Sequence, residues 1–160
     1  MSGGGMAAWL ADLEGSVAEI ATTALGLPGL AVTTRHESPP TLHGAYLGLV
    51  GPAGAIQIGL AAQAPGCQAL AKGLMGMGPG EPDLTEAEMA DAMCEIVNIV
   101  AGAFKTRLRD RAHPLQMGLP VFISGAIKST DHVAVQVAEV TLGDLPAAVL
   151  LVHPRQAEGA

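Results

Sequence analysis

From Glu86 to Arg111 the chain reads EAEMADAMCEIVNIVAGAFKTRLRDR, and its apolar residues recur at helical spacing. At roughly 100° per residue, Met89, Met93, Ile96, Val97, Val100, Phe104 and Leu108 fall on one side. Asp91, Glu95, Asn98 and Gly102 fall on the other, spaced i, i+4, i+7 and i+11. The first side is a core stripe. The second is two acids, an amide and a residue with no side chain. Thr85-Glu86-Ala87-Glu88 predicts a capping box at the start. Acids crowd the first turns, and Lys105, Arg107, Arg109 and Arg111 crowd the last ones, as the helix dipole favours. His113-Pro114 ends the pattern.

The rest of the chain alternates between the two periods. Ala7 to Leu25 predicts a helix on an apolar stripe of Trp9, Leu13, Val17, Ile20 and Leu25. Leu30 to His36 predicts a short strand, and Ser38-Pro39-Pro40 ends it. Ala45–Val50 and Ala55–Leu60 predict a hairpin around Gly51-Pro52-Ala53-Gly54. Gly48 and Gly59 within these runs imply a bulge or close approach by a helix. A helix over Pro65–Met75 follows. After the long helix come strands at Val121–Ser124, His132–Val140 and Ala147–His153. The fold class is α+β, a two-layer sandwich with a mostly antiparallel six-stranded sheet covered by three helices. Each half offers three strands, and no sequence repeat is visible between them. One domain is expected over residues 7–154, between flexible ends at 1–6 and 155–160.

Composition narrows the function. The net charge is −7 with only 8 Lys and Arg, which argues against a nucleic-acid partner. No apolar run approaches the roughly 20 residues that span a bilayer, and the N-terminus lacks signal-peptide features. Cys67 and Cys94 read as reduced thiols, so the expected location is cytoplasmic. The five His residues are scattered singly, which gives no metal-ligand spacing.

The polar stripe carries the candidate chemistry. A carboxylate can grip a partner's cation, and an amide one turn on can hold a water by donating one hydrogen bond and accepting another. Held rigidly, such a pair can place a water in line with phosphorus. Gly102 would let a partner's backbone come close. On most helices, however, such residues are simply solvated.

Asp91-x-x-x-Glu95-x-x-Asn98, followed by Gly102 and Pro120, resembles the signature of the CheC/CheX/FliY phosphatases, which dephosphorylate the chemotaxis response regulator CheY. Glu95-Ile96-Val97-Asn98-Ile99-Val100-Ala101-Gly102 resembles the family's E-x-x-N core, and Leu119 to Gly125 resembles its strand entry. One copy of E-x-x-N at this place is similar to the single-site, CheX-like form. The resemblance implies that Glu95 grips the receiver's lysine and that Asn98 orients the attacking water. Asp91, Gly102 and Pro120 would support partner binding. The aspartyl phosphate and its Mg2+ would come with the receiver, and this chain would bind no cofactor itself. The resemblance also implies a homodimer through sheet edges, for which Val133–Val140 and Ala147–His153 are the candidates because few charges block them. Two alternatives stand beside the phosphatase: a non-catalytic receiver-binding or scaffold module of the same fold, and a structural dimer whose polar stripe is merely solvated.

Other signals carry less. Gly76 to Gly80 lacks G-x-G-x-x-G spacing, and Lys128-Ser129 has no preceding glycine that would make a P-loop. Cys94 would need an activating neighbour to act as a nucleophile.

Overall fold

The computed structural model describes residues 3–52, 54–108 and 114–155. The elements run α1 (Gly3–Thr23), β1 (Leu30–His36), β2 (Leu42–Gly51), β3 (Gly54–Ala62), α2 (Ala64–Leu74), α3 (Glu86–Leu108), β4 (Gln116–Met117), β5 (Val121–Gly125), β6 (Val133–Leu142) and β7 (Leu145–Pro154). Helix α1 begins ahead of the expected Ala7, because Met6 is buried in the core and extends its apolar stripe. The expectations for residues 1–2, for the tail from 156 and for Arg109 to His113 lie outside the described residues.

The helices lie on one face of a seven-stranded antiparallel sheet. The strand beyond the expected six is β4, two residues paired to the end of β2. Alternation decides the faces. Leu47, Leu49, Ile58, Leu60, Val140 and Val149 point to the helices and join Leu13, Val17, Ile96, Val97, Val100 and Phe104 in the main core. The rings of Trp9 and Phe104 meet edge to face at 6.3 Å and lock α1 against α3. Tyr46, Ala61, Val135, Val137, Ala148 and Leu150 form a second cluster on the opposite face.

The strand order is β1-β6-β7-β3-β2, with β5 and β4 both pairing the outer side of β2. This corrects the assignment of β6 and β7 as edge strands. β6 pairs β1, β7 pairs β3, and the two pair each other. Their lack of charge reflects burial on both faces, not a free edge. The edges are β1 on one side and β5 with β4 on the other. Gly59 is also re-explained. A Cβ there would collide with the Tyr46 ring, so a cross-strand side chain, not a helix, needs the space.

The strand order has a symmetry of its own. Exchanging β1 with β5, β2 with β6 and β3 with β7 reverses the order β1-β6-β7-β3-β2-β5 onto itself. The two halves are therefore one arrangement used twice, with the β3–β7 pair at the centre.

The start of α3 is fixed as the capping box requires. Thr85 N–H donates to Glu88 Oε1 at 3.0 Å, and Glu88 N–H donates to Thr85 Oγ1 at 3.1 Å. The Thr85 N–H holds the Glu88 carboxyl below its ordinary range, and the Thr85 hydroxyl adds to the effect. Thr85→Ala is expected to lower stability by about 1 kcal/mol in denaturant melts. A depressed folded pKa stabilises above the unfolded value and loses that contribution as pH falls. The gap between wild type and Glu88→Ala should therefore narrow below about pH 4.5, the ordinary value for this carboxyl.

Candidate functional site

Helix α3 buries Met89, Ala92, Met93, Ile96, Val97, Val100, Ala101, Phe104 and Leu108. That leaves Asp91, Glu95 and Gly102 exposed and Asn98 half-buried, along one stripe. Ile96 and Val97, the two residues between Glu95 and Asn98, are both 0% exposed. The backbone that carries the pair is therefore gripped by the core, while the pair itself faces solvent. At i and i+3 the two side chains leave the helix about 5–6 Å apart. Among the described residues, neither Glu95 nor Asn98 has a side-chain hydrogen bond or ion pair. Their polar groups remain available to a partner.

Gly102 is set apart from the packing. A Cβ placed on it meets nothing within 4 Å. Glycine inside a helix costs about 1 kcal/mol relative to alanine, and no neighbour among the described residues needs the space that a Cβ would fill. The open side of Gly102 therefore suits something that approaches from outside.

Pro120 stands at the head of β5, which packs against α3. Gly118 N–H donates to Gly48 O at 2.8 Å and fixes the approach to Pro120. Pro120 is half-buried, and Phe122 packs into the main core. Between these anchors, Leu119 is 88% exposed and Val121 51%. Nothing in the sequence separates Leu119 from a core leucine; its exposure follows from its place in the stretch between β4 and β5, which run the same way along β2 and leave it outside the ladder. An apolar residue left this open adds contact area for a macromolecular partner.

The cysteines do not compete for the chemistry. Burial raises the Cys94 thiol above its ordinary pKa, and the Asp91 charge adds to the effect. Burial pushes Cys67 up to about 11. Both thiols stay protonated near neutrality, which removes their nucleophilic form. Among the described residues, no group of three or more His, Cys, Asp or Glu side chains is placed to hold a metal ion.

One cavity lies elsewhere. It holds about 710 Å³ between α2 and the first turns of α3, with His43, Gln68, Lys72, Met77, Met89 and Phe122 in its wall. Asp91, Glu95, Asn98 and Gly102 do not line it. The stripe thus lies outside this cavity, with Asp91, Glu95 and Gly102 exposed.

Comparison with known proteins gives this surface its setting. Residues 44–141 match the family model described as chemotaxis phosphatase CheX. The chain belongs to the CheX family. A search of curated proteins finds no match. Among solved structures, the chain is similar to the chemotaxis protein CheX from Vibrio vulnificus, at 17% identity and a TM-score of 0.71, covering 89% of this chain and 97% of that one. It is similar to the CheX–CheY–BeF3–Mg complex from Borrelia burgdorferi, at 16% identity and a TM-score of 0.71, covering 92% and 98%. It is also similar to FliY from Thermotoga maritima, at 17% identity and a TM-score of 0.64, covering 89% and 84%. The CheX-family α+β sandwich predicted from sequence is the fold observed. No helix among the described residues is long and apolar enough to cross a membrane.

The open side of Gly102 leads to a simple expectation. Gly102→Ala should raise the stability of the isolated CheX-family chain by about 0.5–1 kcal/mol in thermal or denaturant melts. A loss of stability would contradict the open space found there.

Proposed function

We propose that this protein hydrolyses the aspartyl phosphate of a CheY-like receiver domain. Glu95 holds the receiver's lysine, and Asn98 orients the attacking water. One observation carries this reading: a carboxylate and an amide stand one turn apart, without a side-chain partner among the described residues, on a backbone that the core immobilises. The complex of the Borrelia burgdorferi relative supports the choice of partner, since that CheX is joined to CheY with BeF3 and Mg.

In this reaction a water oxygen bonds to phosphorus, and the bond from phosphorus to the aspartyl oxygen breaks. Aspartate leaves as a carboxylate, and inorganic phosphate carries away the water's protons. Asn98 supplies both hydrogen-bond types that fix a water, a donor in its NH2 and an acceptor in its carbonyl. Glu95 offers a negative charge to the receiver's ammonium and so draws it towards α3. Asp91 adds negative charge one turn earlier, and Gly102 gives the receiver's backbone room. Pro120 sets the adjoining strand entry. The Mg2+ is the receiver's own. A homodimer, if one forms through a sheet edge, would use β1 or the β5–β4 side.

Phosphate decay from a loaded receiver tests the proposal. Wild type should shorten the receiver's half-life. Asn98→Ala should lose about 10²-fold or more in rate with binding largely kept, as loss of an aligned water predicts. Glu95→Ala should weaken binding by about tenfold or more, as loss of a charged hydrogen-bond partner predicts. Binding without any acceleration by wild type would replace the phosphatase with a docking or scaffold module.

A further inference from the structure

The cavity beside α2 is built around a buried ammonium. Lys72 stands in the last turn of α2, with its side chain 9% exposed. Its Nζ donates to Glu81 O at 2.9 Å and to Asp83 Oδ1 at 2.7 Å. An ammonium carries three protons, so one is left without an acceptor among the described residues. One turn earlier, Gln68 donates to Leu84 O at 2.9 Å and accepts from Leu84 N–H at 3.0 Å. Together these bonds pin the stretch between α2 and α3 against α2. The cavity wall is therefore in place before anything enters, as ligand sites usually are.

Beyond Lys72 the lining turns apolar. Leu25 and Met89 are buried in the wall, and Leu27, Met77 and Phe122 are half-buried there. The far end lies near the start of α2, where His43 pairs with Ala62 across the sheet and its Nδ1 meets Ser124 Oγ at 2.8 Å. From Ala64 to Lys72 the helix advances about 12 Å, at 1.5 Å per residue. The charges sort by depth. Asp83 and Glu86 are exposed, and water screens them. Lys72 is the desolvated charge, and its field acts most strongly inside the cavity. No arginine among the described residues lines the cavity. One ammonium with one spare proton suits a single carboxylate, whereas a phosphate dianion calls for more donors.

We propose that this cavity binds a small amphiphilic monocarboxylate, with its carboxylate on Lys72 and its apolar body along Leu27, Met77, Met89 and Phe122. Asp83 already displays the head-group contact, a carboxylate oxygen 2.7 Å from Nζ. The Asp83 side chain is 73% exposed, so giving up its place to a ligand carboxylate costs little. The volume of about 710 Å³ suits a molecule of this class. The exchange releases the chain two residues ahead of Thr85, the cap of α3. The site uses neither Glu95 nor Asn98 and stands apart from the reading of α3 as a phosphatase.

Calorimetric titration of the full chain with decanoate, kept below the concentration at which it forms micelles, tests the site. Saturable binding at one site is expected. Octanoate, two methylenes shorter, should bind about tenfold more weakly. Decylamine, with the opposite charge on the same chain, should bind more weakly than decanoate. Asp83→Asn removes the competing carboxylate and should tighten decanoate about two- to fivefold, the factor an exposed ion pair is worth. Lys72→Met should weaken it about tenfold or more, as loss of a charged hydrogen bond predicts. Ala69→Trp fills the cavity from an exposed position on α2 and should abolish binding. Thermal melts confirm that each variant is folded, and the exposed Asp83→Asn change tests the head-group position even where Lys72→Met does not fold. Three results overturn the proposal: no saturable decanoate binding to either wild type or Asp83→Asn, decylamine binding as tightly as decanoate, or decanoate binding that Asp83→Asn or Ala69→Trp leaves unchanged.

Discussion

The antiparallel pairing of β3 with β7 is the contact on which both halves of the molecule depend. It runs from Gln57 opposite Val152 to Ala61 opposite Ala148 and is buried on both faces over most of its length. Without it, each half would be a short sheet with no neighbour for its inner strand, a marginal structure in water. With it, the sheet becomes continuous, and α1 and α3 lie side by side on one face, joined by Trp9 and Phe104. The position of every polar group on either helix follows from that central seam.

Helix α3 answers two demands that compete for the same residues. Packing needs long apolar side chains at every turn, and Ile96, Val97, Val100 and Phe104 provide them. A surface that meets another protein needs unpaired polar groups and clearance. The two are reconciled by helical geometry: the buried and open positions interleave along one segment, so each open residue is flanked by anchored ones. Rigidity at Glu95 and Asn98 is therefore a by-product of ordinary core packing and needs no separate network of supporting hydrogen bonds. Gly102 is where the demands conflict, since the open surface is bought there with helix stability.

Much of this was legible in the residues. The span of α3, its cap and its two faces follow from a 3.6-residue period and from local hydrogen bonding between Thr85 and Glu88. The site followed the same pattern, because Asp91, Glu95, Asn98 and Gly102 share a face by spacing alone. What escaped was non-local. The interior places of β6 and β7 depend on which distant strands they meet, and an apolar strand buried on both faces reads the same as an unguarded edge. The space at Gly59 depends on Tyr46 in the neighbouring strand.

The open, shallow character of the stripe on α3 has a practical consequence for chemical intervention. A drug-sized compound gains affinity by being surrounded, and Glu95 and Asn98 lie outside the cavity beside α2. The hollow of about 710 Å³ beside α2 is walled partly by Met89, on the same helix as the stripe. Selective inhibitors of this surface are therefore better sought as peptides or engineered proteins that copy a partner's face. A small molecule would have to reach the stripe indirectly, by wedging the first turns of α3 from the neighbouring hollow.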